Sequence, residues 1–99
     1  MSRVQLAPGA LDDLDRILEH LERHEVDARE VRVSQIISAL DVLGDSPLIG
    51  RPAGHGLREL VIGRDARGYV ALYRYLEPLG TALVLAIRSQ REAGYASPE

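Results

Sequence analysis

Residues 69–87, YVALYRYLEPLGTALVLAI, decide the fold. Over Tyr69–Leu76, Val70, Leu72 and Arg74 alternate with Tyr69, Ala71, Tyr73 and Tyr75, the two-residue period of a strand with two unlike faces. Thr81–Ile87 is an almost unbroken apolar run, which predicts an interior strand covered on both faces. Glu77-Pro78-Leu79-Gly80 between them is short and carries Pro and Gly, as a hairpin connection requires. Leu57–Ile62, bounded by Gly63, reads as a further strand. The three together predict an antiparallel meander.

Working toward the N-terminus, residues 47–56 hold two prolines and three glycines and read as a loop. Before it, Val33, Ile36, Ile37, Leu40 and Leu43 recur at helical spacing and predict a helix over about residues 28–43, stopped by Gly44 and Ser46-Pro47. An earlier stripe of Leu11, Leu14, Leu18 and Leu21 predicts a helix opened by Pro8 and Gly9. Asp12, Asp13 and Asp15 read there as a solvated helix start favoured by the macrodipole. The polar join around residues 24–27 is short enough to fold the two helices back as an antiparallel hairpin. Arg3 and Gln5 alternate with Val4 and Leu6 as a short first strand. The expected fold is therefore α+β: an N-terminal strand, a two-helix hairpin and a three-stranded antiparallel meander, with the helices packed on one sheet face. At 99 residues, residues 1–99 are expected to form one domain.

Composition narrows the function. Hydrophobic residues make up 45% and charged residues 27%, which places the chain among globular proteins and not disordered ones. The absence of cysteine excludes disulfides and thiolate zinc sites. No apolar run approaches the ~18 residues of a membrane span, so the expected compartment is the cytoplasm and no membrane contact is expected. A net charge of −3 argues against nucleic-acid binding by the whole surface. The charge is unevenly spread, however. All 12 basic residues are arginine, and most acids precede Leu48. From Arg51 to Arg91 there are seven arginines against only Glu59, Asp65 and Glu77. Arginine makes fixed, bidentate contacts to carboxylate or phosphate, so the second half is where a charged partner should dock.

Candidate chemistry is sparse. His20 and His24 have the four-residue spacing of a helical metal pair, but no third ligand stands near, so no metal is expected. His55 has no evident acid partner. Gly50, Gly54 and Gly56 precede a strand and are not followed by lysine, unlike a phosphate loop. Arg51 reads as a loop arginine satisfying backbone carbonyls. Arg58 and Glu59 are adjacent in a strand and so must face opposite sides. Arg74, between Tyr73 and Tyr75, reads as a structural partner for an acid such as Glu59. Arg88, Arg91, Glu92 and Tyr95 form a polar stretch with one aromatic after the apolar strand, a composition suited to partner or nucleic-acid contact.

Gly50-Arg51-Pro52, Leu57-Arg58-Glu59-Leu60-Val61, Gly68-Tyr69-Val70-Ala71-Leu72-Tyr73-Arg74-Tyr75 and Val84-Leu85-Ala86-Ile87-Arg88, followed by Gln90-Arg91-Glu92, resemble in this order the ParE branch of the RelE/ParE toxins. Pro8, Ala10, Asp13 and Leu14 after the first strand are similar to that family as well, so the resemblance spans nearly the whole chain. It implies the fold already expected from the pattern. It also implies a toxin neutralised by a cognate antitoxin, ParD-like or similar, that wraps it. Operator DNA would then be met only through the antitoxin complex. ParE-like members inhibit DNA gyrase; RelE-like members cleave messenger RNA on the ribosome.

The chain departs from the ribonuclease branch. Val61 and Ile62 stand on the strand where that branch carries lysines, and Val70 stands where it carries an arginine after Gly-Tyr. Metal-free RNA cleavage needs a base for the 2′-hydroxyl and cations for the developing phosphate charge, and aliphatic side chains supply neither. The resemblance therefore implies a toxin that binds DNA gyrase without catalytic residues or a cofactor. The target-contacting residues would be Arg88, Arg91, Glu92 and Tyr95, with Arg58 and Arg74 shaping the adjacent sheet. In the alternative, a RelE-like ribonuclease, Arg51, Arg88, Arg91 and Tyr95 would hold and cleave the message.

Overall fold

The computed structural model describes residues 2–24, 26–63 and 68–90. Strand β1 (Arg3–Leu6) leads into helix α1 (Pro8–His24). A single 3-10 turn (Val26–Ala28) joins α1 to α2 (Arg29–Asp45). Strands β2 (Arg51–Gly54), β3 (Leu57–Ile62), β4 (Tyr69–Leu76) and β5 (Thr81–Ser89) follow, with a 3-10 turn at Glu77–Leu79. The five strands form one sheet in the order β1-β5-β4-β3-β2, with β1 parallel to β5 and the other pairs antiparallel.

The pairing register sorts side chains between the two faces, because directly opposed residues share a face. Ile62 opposes Tyr69, Leu60 opposes Ala71 and Arg58 opposes Tyr73. Ala71 opposes Ile87, Tyr73 opposes Val84 and Tyr75 opposes Ala82, while Val4 and Leu6 continue the face beside Ala82 and Val84. This face carries the core. Tyr69, Ala71, Tyr73, Ala82, Val84 and Ile87 are buried on it, packed with Ala10, Ile17 and Leu21 of α1 and Ile36 and Leu43 of α2.

The apolar run of β5 has a different cause from the expected double coverage. Leu72 opposes Ala86 and Tyr73 opposes Val84, so Leu85 is a bulge with no partner in β4. The bulge reverses the alternation mid-strand. Ala82, Val84 and Ile87 therefore all face the helices, while Leu83 and Ala86 lie half-buried on the other face. β5 is interior, between β1 and β4.

Three further expectations change. The buried face of α1 is Ala10, Asp13, Ile17 and Leu21, and Leu11 is 48% exposed. Helix α2 runs through Gly44 to Asp45, and the N–H of Ser46 caps it at Val42 O. Gly44 serves instead as a close approach: its carbonyl accepts the Ser2 N–H at 2.7 Å, seating the start of β1 on the helix. Residues 51–54, expected as loop, pair with β3 as the outermost strand, where Pro52 is tolerated because an edge strand need not donate on both sides. His55 and Gly56 turn the hairpin with positive φ at both positions, the geometry that matches strand twist.

Candidate target-binding face

The face of the sheet away from the core holds most of the arginines singled out in the sequence. Across β3, β4 and β5, Val61, Val70 and Arg88 form one row, Glu59, Leu72 and Ala86 the next, and Leu57, Arg74 and Leu83 a third. Arg51 of β2 stands beside Glu59, and Arg3 and Gln5 of β1 extend the far side. The result is an aliphatic centre rimmed by arginine. Arg88 and Arg74 share this face but sit four β4 positions apart in register, roughly 13 Å along the strand.

Arg58 is not brought to this face. It opposes Tyr73 on the core side, where one guanidinium nitrogen donates to Gly50 O at 2.7 Å and Leu48 O at 3.2 Å. The buried Tyr73 hydroxyl works on the same loop, donating to Pro47 O at 2.7 Å and accepting the Gly50 N–H at 2.9 Å. Arg58 and Tyr73 thus fasten residues 47–50 to the end of the sheet. The carbonyl-satisfying role expected of Arg51 belongs to Arg58.

Glu59 pairs with Arg51, Nε to Oε1 at 3.1 Å, and not with Arg74 as expected. The hairpin register places Arg51 directly opposite Glu59, whereas Arg74 opposes Leu57. Among the described residues, no ion pair or hydrogen bond engages the Arg74 side chain. The Arg51–Glu59 pair is solvent-exposed, so screening and side-chain entropy leave it little net value. A double-mutant cycle of Arg51→Ala and Glu59→Ala read by urea denaturation is expected to give a coupling below about 1 kcal/mol. A larger coupling would mean that the pair holds β2 in place.

Asp13 was missed by the sequence reading. It is 7% exposed. One carboxylate oxygen accepts the Ile87 N–H at 3.0 Å and the other accepts from Arg16 at 2.9 Å. β1 stops pairing with β5 at Leu6 and Val84, and Ala7 N–H closes on Val84 O. Asp13 meets β5 beyond that point and gives a buried amide its acceptor, as buried polar groups require. The Arg88 Nε lies 3.7 Å from the same oxygen that takes the Ile87 N–H. The sequence signal for this was an acid one helical turn from Ala10 and Ile17, on the buried stripe.

Arg91, Glu92 and Tyr95 lie outside the described residues. The His20 and His24 rings lie tilted against each other with centroids 4.8 Å apart, and no group of three metal-ligating side chains occurs among the described residues. His55 lies in the β2–β3 turn. No helix of the described residues is long and apolar enough to cross a membrane.

A strand, two helices and a mostly antiparallel sheet in this order are the fold of the RelE/ParE toxins. A chain of the chromosomal ParDE toxin–antitoxin system from P. aeruginosa superposes with a TM-score of 0.72 at 22% identity, covering 90% of this chain and 96% of that one. A chain of the intact E. coli RelBE toxin–antitoxin complex superposes with a TM-score of 0.59 at 15% identity, again over 90% and 96%. Toxin RelE3 of Caulobacter vibrioides is 31% identical over 74 residues, covering 75% of this chain and 80% of that protein. Residues 4–94 match the family described as the ParE toxin of type II toxin–antitoxin systems, parDE, and the chain belongs to that family.

Proposed function

We propose that this toxin acts by binding DNA gyrase and so blocking replication, with no catalytic chemistry of its own. The observation that carries this reading is the row Val61–Val70–Arg88. Two of the three positions that depart from the ribonuclease branch, Val61 and Val70, stand side by side on the face away from the helices, with Arg88 beyond Val70; Val61 is 43% exposed and Val70 only 7%. An arginine at the end of a row whose other two members are valines offers an anion a contact but offers a 2′-hydroxyl no base. Ile62, the third departure, opposes Tyr69 on the face packed against the helices and so is turned away from Arg88. Arg88 is the described contact residue, Arg74 lines the same face, and Arg91, Glu92 and Tyr95 extend the contact along the chain. Arg58 contributes by fixing the loop beneath the sheet edge.

The proposed partner in the resting state is a cognate antitoxin. The outer side of α2 supports this. Ile36 and Leu43 face inward; Ile37, 54% exposed, lies on the flank toward β1, while Val31 and Val42, 59% and 39% exposed, lie on the opposite flank. A groove of about 700 Å³ runs between this helix and β1, lined by Val4, Leu6, Ile37 and Leu40 and edged by Asp41 and Asp45. An apolar groove of this kind suits a partner segment. An antitoxin segment would be apolar over α2 and acidic where it reaches the arginines of the open face.

Inducing the toxin alone, with replication and translation followed separately, tests the target. Replication is expected to stop first, with DNA-damage signalling, while protein synthesis continues. Early loss of translation with cut transcripts would establish the ribonuclease reading instead.

A further inference from the structure

We propose that Asp13 is a positioning residue for Arg88: it holds the guanidinium at the rim of the open face with its hydrogen-bond donors unspent. This rests on the reading of Arg88 as a target contact. Among the described arginines of the sheet, Arg88 combines unspent donors with a carboxylate within 4 Å; Arg74 is also without a hydrogen bond but has no ion-pair partner. Arg58 spends its donors on two backbone carbonyls. Arg51 donates to Glu59. Arg16 donates to the first oxygen of Asp13 at 2.9 Å. The second oxygen takes the Ile87 N–H at 3.0 Å, and Arg88 Nε stands 3.7 Å away from it. That separation is within range for charge attraction and beyond a hydrogen bond. Arg88 is thereby drawn toward Asp13 while its side chain remains 58% exposed.

Asp13 is itself fixed. It is buried on α1, and its bond to the amide of Ile87 ties it to the residue preceding Arg88. Helix, strand end and arginine are therefore referenced to one carboxylate. With two guanidinium groups around one carboxylate, the cluster keeps a net positive charge for an anionic group of the target, a carboxylate or a phosphate. Restricting a long arginine before binding removes part of the entropy that binding would otherwise cost.

Asp13→Asn tests this. An asparagine oxygen can still accept the Ile87 N–H, so the change removes chiefly the charge. Potency is read as the half-inhibitory toxin concentration, in supercoiling or translation, whichever wild-type toxin inhibits. The toxin is purified with its antitoxin and released, with antitoxin rebinding as the control for folding. Arg88→Ala is expected to lose at least about tenfold and Asp13→Asn about fivefold. The double variant is expected to be no weaker than Arg88→Ala alone, because residues acting as one unit are not additive. Full potency of Arg88→Ala would overturn Arg88 as a contact and this inference with it. A weak Arg88→Ala beside a fully potent Asp13→Asn, or additive losses, would overturn the positioning role alone. Should Asp13→Asn not fold, the wild-type chain carries the test through NMR of the Arg88 Nε–H. A heteronuclear NOE near backbone values supports a held side chain; a freely averaging one overturns it.

Discussion

Gly50→Ala is expected to destabilise the toxin by about 3–5 kcal/mol through a single added methyl group. A Cβ at this position would lie 2.7 Å from the Tyr73 hydroxyl and ring and 2.8 Å from Glu59 O. The carbonyl belongs to the backbone of β3 and cannot rotate away. The tyrosine is fully buried, so its ring has nowhere to go without breaking both hydrogen bonds that fasten residues 47–50. Tyr73→Phe separates the two components. It keeps the ring and leaves the Gly50 N–H and Pro47 O without their partner, at a cost of about 1–3 kcal/mol. Urea denaturation should therefore rank wild type above Tyr73→Phe, and Tyr73→Phe above Gly50→Ala, with unchanged slope. A Gly50→Ala midpoint equal to wild type would show that loop and strand separate freely and that the Tyr73 anchor does not hold them.

The second large effect is stabilisation by the antitoxin. A ligand that binds only the folded state at a free concentration a thousandfold above its Kd adds about 4 kcal/mol of stability. For a domain of this size that is a rise on the order of 20 °C in Tm. Ile37→Asp, in the proposed antitoxin groove between α2 and β1 and 54% exposed, should leave the free toxin's Tm nearly unchanged and abolish most of the antitoxin-dependent rise. Equal melting temperatures with and without antitoxin would contradict the proposed partner. A full rise with Ile37→Asp would move the interface away from α2.

The elements that were legible in the sequence are those whose pattern is set locally. The alternation of Tyr69–Leu76 reports a strand with a core face and an open face, and the pairing confirms which residues fall on each. Helix α1 was found, with Leu21 buried and Leu14 packed on the core as expected, but counting only leucines wrongly included the exposed Leu11 and left out half of the buried stripe. The burying residues include Ala10, which is small, and Asp13, which is charged. Asp13 is buried because its partner, the Ile87 amide, lies 74 residues away, and no local pattern shows such a pairing. The roles of Arg51 and Arg58 were exchanged for a similar reason. They depend on the register of the β2–β3 hairpin, which the loop-like sequence of residues 47–56 conceals. The β5 bulge at Leu85 imitates a doubly covered strand by shifting the alternation one place. Of the arginines proposed as contacts, the residue types alone could not tell which share a face; the register puts Arg74 and Arg88 on the face away from the helices and Arg58 on the other side.

Gyrase supercoiling with purified, antitoxin-free toxin tests the central claim most directly. The account predicts loss of supercoiling as toxin is added, with accumulation of cleaved DNA and with weaker inhibition by Arg88→Ala. Unchanged supercoiling at large molar excess of toxin, together with message cleavage on translating ribosomes, would contradict it.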